Sequence, residues 1–132
     1  VDLSNMNLSH CNFNGANLDN ANLSNSIIQY SGLENVSLNN ANLSNSNFLA
    51  SNLGYNDFTN SVVSNINLQK AFLHYSNLSG IDLSNLNLSE ATIFHTNLSN
   101  TDLSNTNMLG TMIKYSDFTN SNLLCLHNSL CT

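Results

Sequence analysis

The chain has 132 residues, no proline and only 8% charged residues, and its eight acids against Lys70 and Lys114 leave a net charge of −6. That length sets one domain, and the acidic balance excludes direct nucleic-acid binding, which uses Lys and Arg to neutralise phosphates. No apolar run reaches the ~20 residues of a membrane span, and no basic-then-apolar segment resembles a signal peptide.

From Val1 to Cys125 the sequence divides into 25 unbroken pentads, shown most cleanly by Ala16-Asn17-Leu18-Asp19-Asn20 and Ala21-Asn22-Leu23-Ser24-Asn25. The middle residue is apolar in every pentad, from Leu3, Leu8 and Phe13 to Ile113, Phe118 and Leu123. Two residues earlier stands a small or apolar residue such as Ala16, Ser31, Ala41, Ser76 or Thr101, and the position between is usually Asn or Asp. A five-residue period fits neither a helix nor a long two-residue alternation. Within one pentad, however, the first and middle residues point the same way, as in a very short strand. Asn ends twelve pentads and Gly ends three (Gly15, Gly80, Gly110). Both tolerate left-handed backbone, so the last two residues read as a bend. Each pentad is therefore a tiny strand and a corner, and the phase of the apolar residues argues for order despite the Asn-rich, low-charge composition. One elongated domain with a linear core follows.

The frame fails after Cys125, where position 128 is Asn. Residues 1–125 are thus the repeat domain and 126–132 a tail that caps the last coil with Leu126 and Leu130. The first repeat begins at residue 1, so a leader or a further domain is expected to have preceded it. Three cysteines make no disulfide framework: Cys11 reads as a buried thiol, while Cys125 and Cys131 either pair or stay reduced.

These pentads resemble the pentapeptide-repeat family, whose consensus is A-(D/N)-L-x-x; ANLDN, ANLSN, IDLSN, TDLSN and SNLSG all fit it. The resemblance implies an all-β fold, a right-handed quadrilateral parallel β-helix in which four pentads close one turn. The chain would then make about six coils stacked at the ~4.8 Å strand spacing. It also implies a bacterial source, but no single function, because one fold carries several.

With four pentads per turn, residues twenty apart stack in columns on four faces. The first face ends its pentads in Asn5, Asn25, Asn45, Asn65, Asn85 and Asn105, and the fourth in Asn20, Asn40, Asn60, Gly80, Asn100 and Asn120. These columns read as asparagine ladders, a matter of corner geometry rather than of ligand binding. The third face departs from the rule. Its pentads CNFNG, SGLEN, SNLGY, AFLHY, ATIFH and TMIKY put Tyr55, Phe72, Tyr75, Phe94, His95, Met112 and Tyr115 at outward positions, with His74 and Lys114 among them. The second face adds Ile27, Tyr30, Leu49 and Leu109. A contiguous aromatic strip on so polar a chain marks a surface that is covered by something. The covering is either a second copy of the chain (a homodimer being the simplest form), a flanking domain, or a different protein. Six of the eight acids lie elsewhere, Asp2, Asp82 and Asp102 on the first face and Asp19, Asp57 and Asp117 on the fourth; only Glu34 and Glu90 depart from this.

Catalytic and metal chemistry find no support. His74 and His95 sit on successive coils beside aromatics without further ligands, and no Ser-His-acid set or glycine-rich phosphate loop stands out. The expectation is a non-enzymatic protein with no cofactor and no metal. Its first reading is a rigid protein-interaction scaffold using Tyr55, Phe72, Tyr75, Phe94, His95, Met112 and Tyr115. A second comes from the family resemblance, in which some members imitate duplex DNA and bind DNA gyrase and related topoisomerases; Asp57, Asp82, Asp102 and Asp117 would be its acidic faces. An ice-binding solenoid is the third, weakened because Thr96, Thr101, Thr106 and Thr111 fall at inward positions. The cytoplasm is the favoured compartment, with secretion left open.

Overall fold

The computed structural model describes residues 1–124, so Cys125, Cys131 and the expected 126–132 cap lie outside the described residues. Parallel bridges join residues twenty apart along the described residues, with one interruption, from Asp2↔Asn22 and Asn7↔Ile27 to Asn97↔Asp117 and Asp102↔Asn122. The chain is therefore a parallel β-helix with a 20-residue coil and a bend in every pentad. Two segments pair over three residues, β1 (Thr92–Phe94) and β2 (Met112–Lys114), with Ile93 opposite Ile113. No helix among the described residues is long and apolar enough to cross a membrane.

Most bends share a local construction, while leaving the third face the amides of Val36, Asn56 and Thr96 donate instead to the next coil, to the side chains of Asn56, Ser76 and Ser116. In the local form the carbonyl of a central residue accepts a hydrogen bond from the amide three residues on, as in Phe13 to Ala16 (2.8 Å) and Leu68 to Ala71 (3.0 Å). The last residue of the pentad is left-handed, with φ between 53° and 61° for every non-glycine from Asn5 to Asn120 and 71° to 73° for the glycines. This is what the third position of a type II turn requires, and Asn and Gly meet it at least cost.

The second pentad position completes the turn. Its side-chain oxygen accepts the amide two residues later: Asn12 from Asn14 (2.9 Å), Asp82 from Ser84 (2.9 Å), Asn97 from Ser99 (3.0 Å). This Asx capping explains why Asn or Asp recurs there. It also relocates the ladders that the sequence suggested. Only Asn65 to Asn45 (3.2 Å) and Asn120 to Asn100 (3.4 Å) bond along the final-position columns. At the second position Asn67 donates to Asn47, Asn97 to Asn77, Asn107 to Asn87, Asn77 to Asp57 and Asn122 to Asp102. The final-position asparagines serve the backbone angle; the second-position ones bond up and down the stack.

Inside, the central residues are no more than 4% exposed from Leu23 to Met108. Leu3, Phe13, Ile113 and Phe118 are half-buried and Leu123 is exposed, since each lies in a coil near one end of the described stack. Cys11 is likewise half-buried rather than buried. The inward hydroxyls are satisfied by carbonyls of central residues, Ser76 on Leu53 (2.8 Å) and Thr106 on Leu83 (2.8 Å) among them. Asn56, 2% exposed, accepts from the Val36 amide at 2.7 Å but leaves its own Nδ2 without a partner.

One rung is open. Segment 61–65 is bonded to the coil below it (Leu43 to Val62, 2.8 Å), and segment 81–85 to the coil above (Leu83 to Asp102, 2.8 Å). Between 61–65 and 81–85, neither a bridge nor a backbone hydrogen bond forms. Pairing is intact just before the gap (Phe58 to Asn77, 3.0 Å) and just after it (Leu68 to Asn87, 3.0 Å). The inward first positions explain the opening. Beyond the exposed Val1 and Met6 of the first coil, these columns elsewhere carry Ala21, Ala41, Ser26, Ser46 or Thr106; here they carry Ile66, Ile81 and Leu86, all 7% exposed or less. Overfilling a close-packed interior displaces backbone, and the ladder gives way at that corner.

Truncating a central leucine tests the frame. Leu53→Ala should destabilise by about 2–5 kcal/mol through lost burial and the cavity left behind. An unchanged melting temperature in that variant would refute the pentad assignment.

Candidate interaction surface

The third face brings together the residues singled out from the sequence. Tyr55, Phe72, Tyr75, Met112 and Tyr115 are 47–79% exposed, and His95 is exposed beside them. Phe94 differs: it lies in β1 and is half-buried, as is Leu49 on the second face. Phe94, Met112, Ile113 and Lys114 line a shallow groove of about 330 Å³ at one end of the strip.

The final-position aromatics stack on one another. Ring centroids are 4.9 Å apart for Tyr55–Tyr75, 4.8 Å for Tyr75–His95 and 4.9 Å for His95–Tyr115, with planes within 22° of parallel. His10 and Tyr30 repeat the arrangement on the second face at 5.3 Å. Tyr55, Tyr75, His95 and Tyr115 are all left-handed, at φ 53° to 59°. That conformation costs roughly 1–2 kcal/mol for a residue other than Gly or Asn, while an aromatic pair returns about 0.5–1.5 kcal/mol. Stacking thus offsets the backbone strain without exceeding it, and folding gains little from replacing Asn with aromatics here.

His74 shows a packing detail that the sequence reading missed. A Cβ on Gly54 would lie 2.4 Å from the His74 ring, so the imidazole rests directly over the glycine backbone and meets Tyr55 edge-on at 5.3 Å. The signal was present: Gly54 stands where neighbouring pentads carry a side chain, twenty residues before His74.

The acids are less concentrated than the sequence suggested. Asp82 and Asp102 are bridged on adjacent coils of the first face, but two asparagines, Asn77 and Asn97, separate Asp57 from Asp117 on the fourth. Each of the four caps its own turn, Asp57 and Asp117 also accepting a Thr hydroxyl at 2.6 Å. Partial burial raises the pKa of Asp57, but the Thr59 hydroxyl and amide and the Asn77 amide outweigh it, leaving the group below its ordinary value of 3.8. The Ser104 hydroxyl and amide hold Asp102 low, the Thr119 hydroxyl and amide do so for Asp117, and the Ser4 amide and hydroxyl for Asp2. Lys70 is paired with Glu90 at 3.5 Å, both half-exposed. The threonines at 96, 101, 106 and 111 are buried, donating to the carbonyls of Leu73, Leu98, Leu83 and Leu88. Among the described residues no three His, Cys, Asp or Glu side chains converge as metal ligands would.

Comparison with known proteins agrees with the repeat frame. The pentapeptide repeat region profile matches residues 1–78, and the pentapeptide repeats profile, in eight copies, residues 87–123. No curated protein matches the sequence closely enough to count as a relative. Among solved structures, the pentapeptide repeat protein Rfr23 from the cyanobacterium Cyanothece 51142 is similar at 21% identity and TM-score 0.73, covering 85% of this chain and 87% of that one. HetL from Nostoc sp. strain PCC 7120, a pentapeptide repeat protein involved in heterocyst differentiation regulation, is 22% identical with TM-score 0.57, over 92% of this chain but only 63% of HetL. QnrB1, a plasmid-mediated fluoroquinolone resistance protein, is 20% identical with TM-score 0.56, covering 92% and 72%. At such identities the likeness concerns the fold alone. The pentad frame, the 20-residue pairing and the profile match over residues 1–78 agree, and the chain belongs to the pentapeptide-repeat family.

Proposed function

We propose that this chain is a non-enzymatic protein-interaction module, a rigid right-handed quadrilateral β-helix of about six coils that binds through its third face. The observation that carries this reading is the strip of Tyr55, Phe72, Tyr75, Met112 and Tyr115, exposed side by side while Asn and Ser fill most other outward sites. Interfaces concentrate aromatic and Met side chains, and a handful of them supply most of the binding energy. The inward positions of the same pentads (Ala71, Leu73, Ala91, Ile93 and Thr111) are already filled and buried, so the fold makes no demand for the outward apolars. A second copy of the chain is the occupant most directly tested, and a different protein the other.

Changing Phe72, Phe94 and Met112 together to Asn should leave the monomer's melting temperature within a few degrees of wild type and weaken self-association in sedimentation velocity. A monomer that melts far lower would put the strip in the core and end the interaction reading.

A second reading, imitation of DNA toward gyrase, draws on the net charge of −6 and on carboxylates held ionised on adjacent faces. It ranks lower because only Asp82 and Asp102 are neighbours and each carboxylate is committed to a turn. Micromolar protein should leave gyrase supercoiling unchanged. Salt-sensitive inhibition that disappears when Asp57, Asp82, Asp102 and Asp117 are all changed to Asn would reverse the ranking. The ice-binding alternative gains nothing from buried threonines.

The capped carboxylates also set a pH dependence. Asp2, Asp57, Asp102 and Asp117 are lowered from 3.8, so they contribute stability that is present above that value and lost as pH falls through their lowered folded values. Thermal melts should be level between about pH 7 and 5 and decline below about pH 4. A midpoint that rose on acidification through that window would contradict the capping assignment.

A further inference from the structure

The open rung is a groove of about 400 Å³ lined by Ser61–Asn65 on one lip and by Ile81, Asp82, Ser84, Asn85 and Leu86 on the other. The groups left over are an ordered set. In the intact rungs above and below, a central amide donates to the second residue of the next coil, and the fifth amide to the fourth residue. By that rule the lower lip is left with the amides of Val63 and Asn65 and the carbonyl of Ser61. The upper lip is left with the amide of Asp82 and the carbonyls of Asp82 and Ser84. None of these six groups has a protein partner among the described residues. Unpaired backbone groups must find hydrogen bonds elsewhere, and here both halves of a parallel ladder face one space.

We propose that this rung is a receiving slot for a short extended peptide strand running parallel to the coils. Such a strand would accept from Val63 and Asn65 and donate to Ser61 on one side, and donate to Asp82 and Ser84 and accept from Asp82 on the other. This is β-strand addition between two strands rather than at an edge. The volume is at the small end of the ~300–1,000 Å³ found for ligand sites, which suits a few residues and not a helix. Val62, 48% exposed, offers the strand an apolar neighbour. Asp82 is the only charged group on either lip, so the chemistry favours a strand carrying a cationic side chain. A separate observation marks the same place: the two family profiles stop at residue 78 and resume at 87, leaving the upper lip outside both.

The test uses the whole chain labelled with ¹⁵N and, as probe, the acetylated and amidated pentapeptide Thr-Val-Lys-Val-Thr. In the free chain the amides of Val63, Asn65 and Asp82 should exchange with solvent faster than those of Leu43 and Leu83. Adding the peptide should shift those three signals saturably, and at ten times its Kd should slow their exchange about tenfold. The same peptide N-methylated at alternate residues should leave them unmoved. Changing Ile66→Ser, Ile81→Ala and Leu86→Thr, the residues found at these positions in other coils, should close the rung and abolish the response. The proposal is overturned if the three amides are as protected as Leu43 and Leu83 in the free chain. It also fails if millimolar peptide leaves them unshifted (a water-filled joint only), or if the N-methylated peptide shifts them equally. Should the triple variant not fold, the two peptides on the wild-type chain still decide.

Discussion

Everything in this fold depends on turning the backbone through the left-handed region once every five residues. At most corners a central carbonyl closes the turn on the amide three residues later, and where Asn or Asp precedes it that side chain caps the amide between. Those two local bonds leave the remaining backbone groups pointing along the axis, where the coil twenty residues away meets them. Local turn chemistry and long-range pairing therefore reinforce each other, which is the consistency expected of a sequence with one well-separated native state. Side chains enter only afterwards: the central residue fills the axis, and the small residue beside it lets adjacent sides approach.

Departures from the repeat are informative because the background is so regular. Placing Tyr, His, Lys or Glu at a left-handed corner strains backbone that Asn would leave relaxed. On the third face the strain is recovered by ring stacking, which makes the aromatic column close to neutral for folding and leaves its outer edges available. Ile66, Ile81 and Leu86 are departures of another kind. They add volume inside, and the rung beside them loses its ladder. One sort of exception alters the surface without disturbing the coil, and the other alters the coil itself.

Most of the architecture was legible from the residues. The apolar centre, the small first position and the bend at Asn or Gly all follow from side-chain size and backbone freedom, and these act within a single pentad. What escaped were effects between coils. Nothing in the pentad ending Asn45 says that its column would hold one amide bond where the column of Asn47, Asn67, Asn87 and Asn107 holds two, because both look equally polar in one dimension. Phe94 is half-buried like His74 one coil before it, because the fourth position of a pentad lies against the coil on either side. The seat of His74 on Gly54 and the open rung both depend on what lies twenty residues away, a separation that only the stacked structure turns into contact.

The twenty-residue pairing makes position around the axis a matter of counting. A residue's face is its sequence number modulo twenty, so a segment duplicated or lost in whole coils lengthens or shortens the rod and leaves every column in line. A single extra pentad does something different. Placed between Tyr75 and His95, it would advance His95 and Tyr115 by one side, cutting the aromatic stack in two and moving half of it to the fourth face. Such a chain would still satisfy each corner and each core position. A whole pentad thus relocates a surface by one side of the coil, and a contiguous stack from Tyr55 to Tyr115 records four successive coils in which that counting was kept.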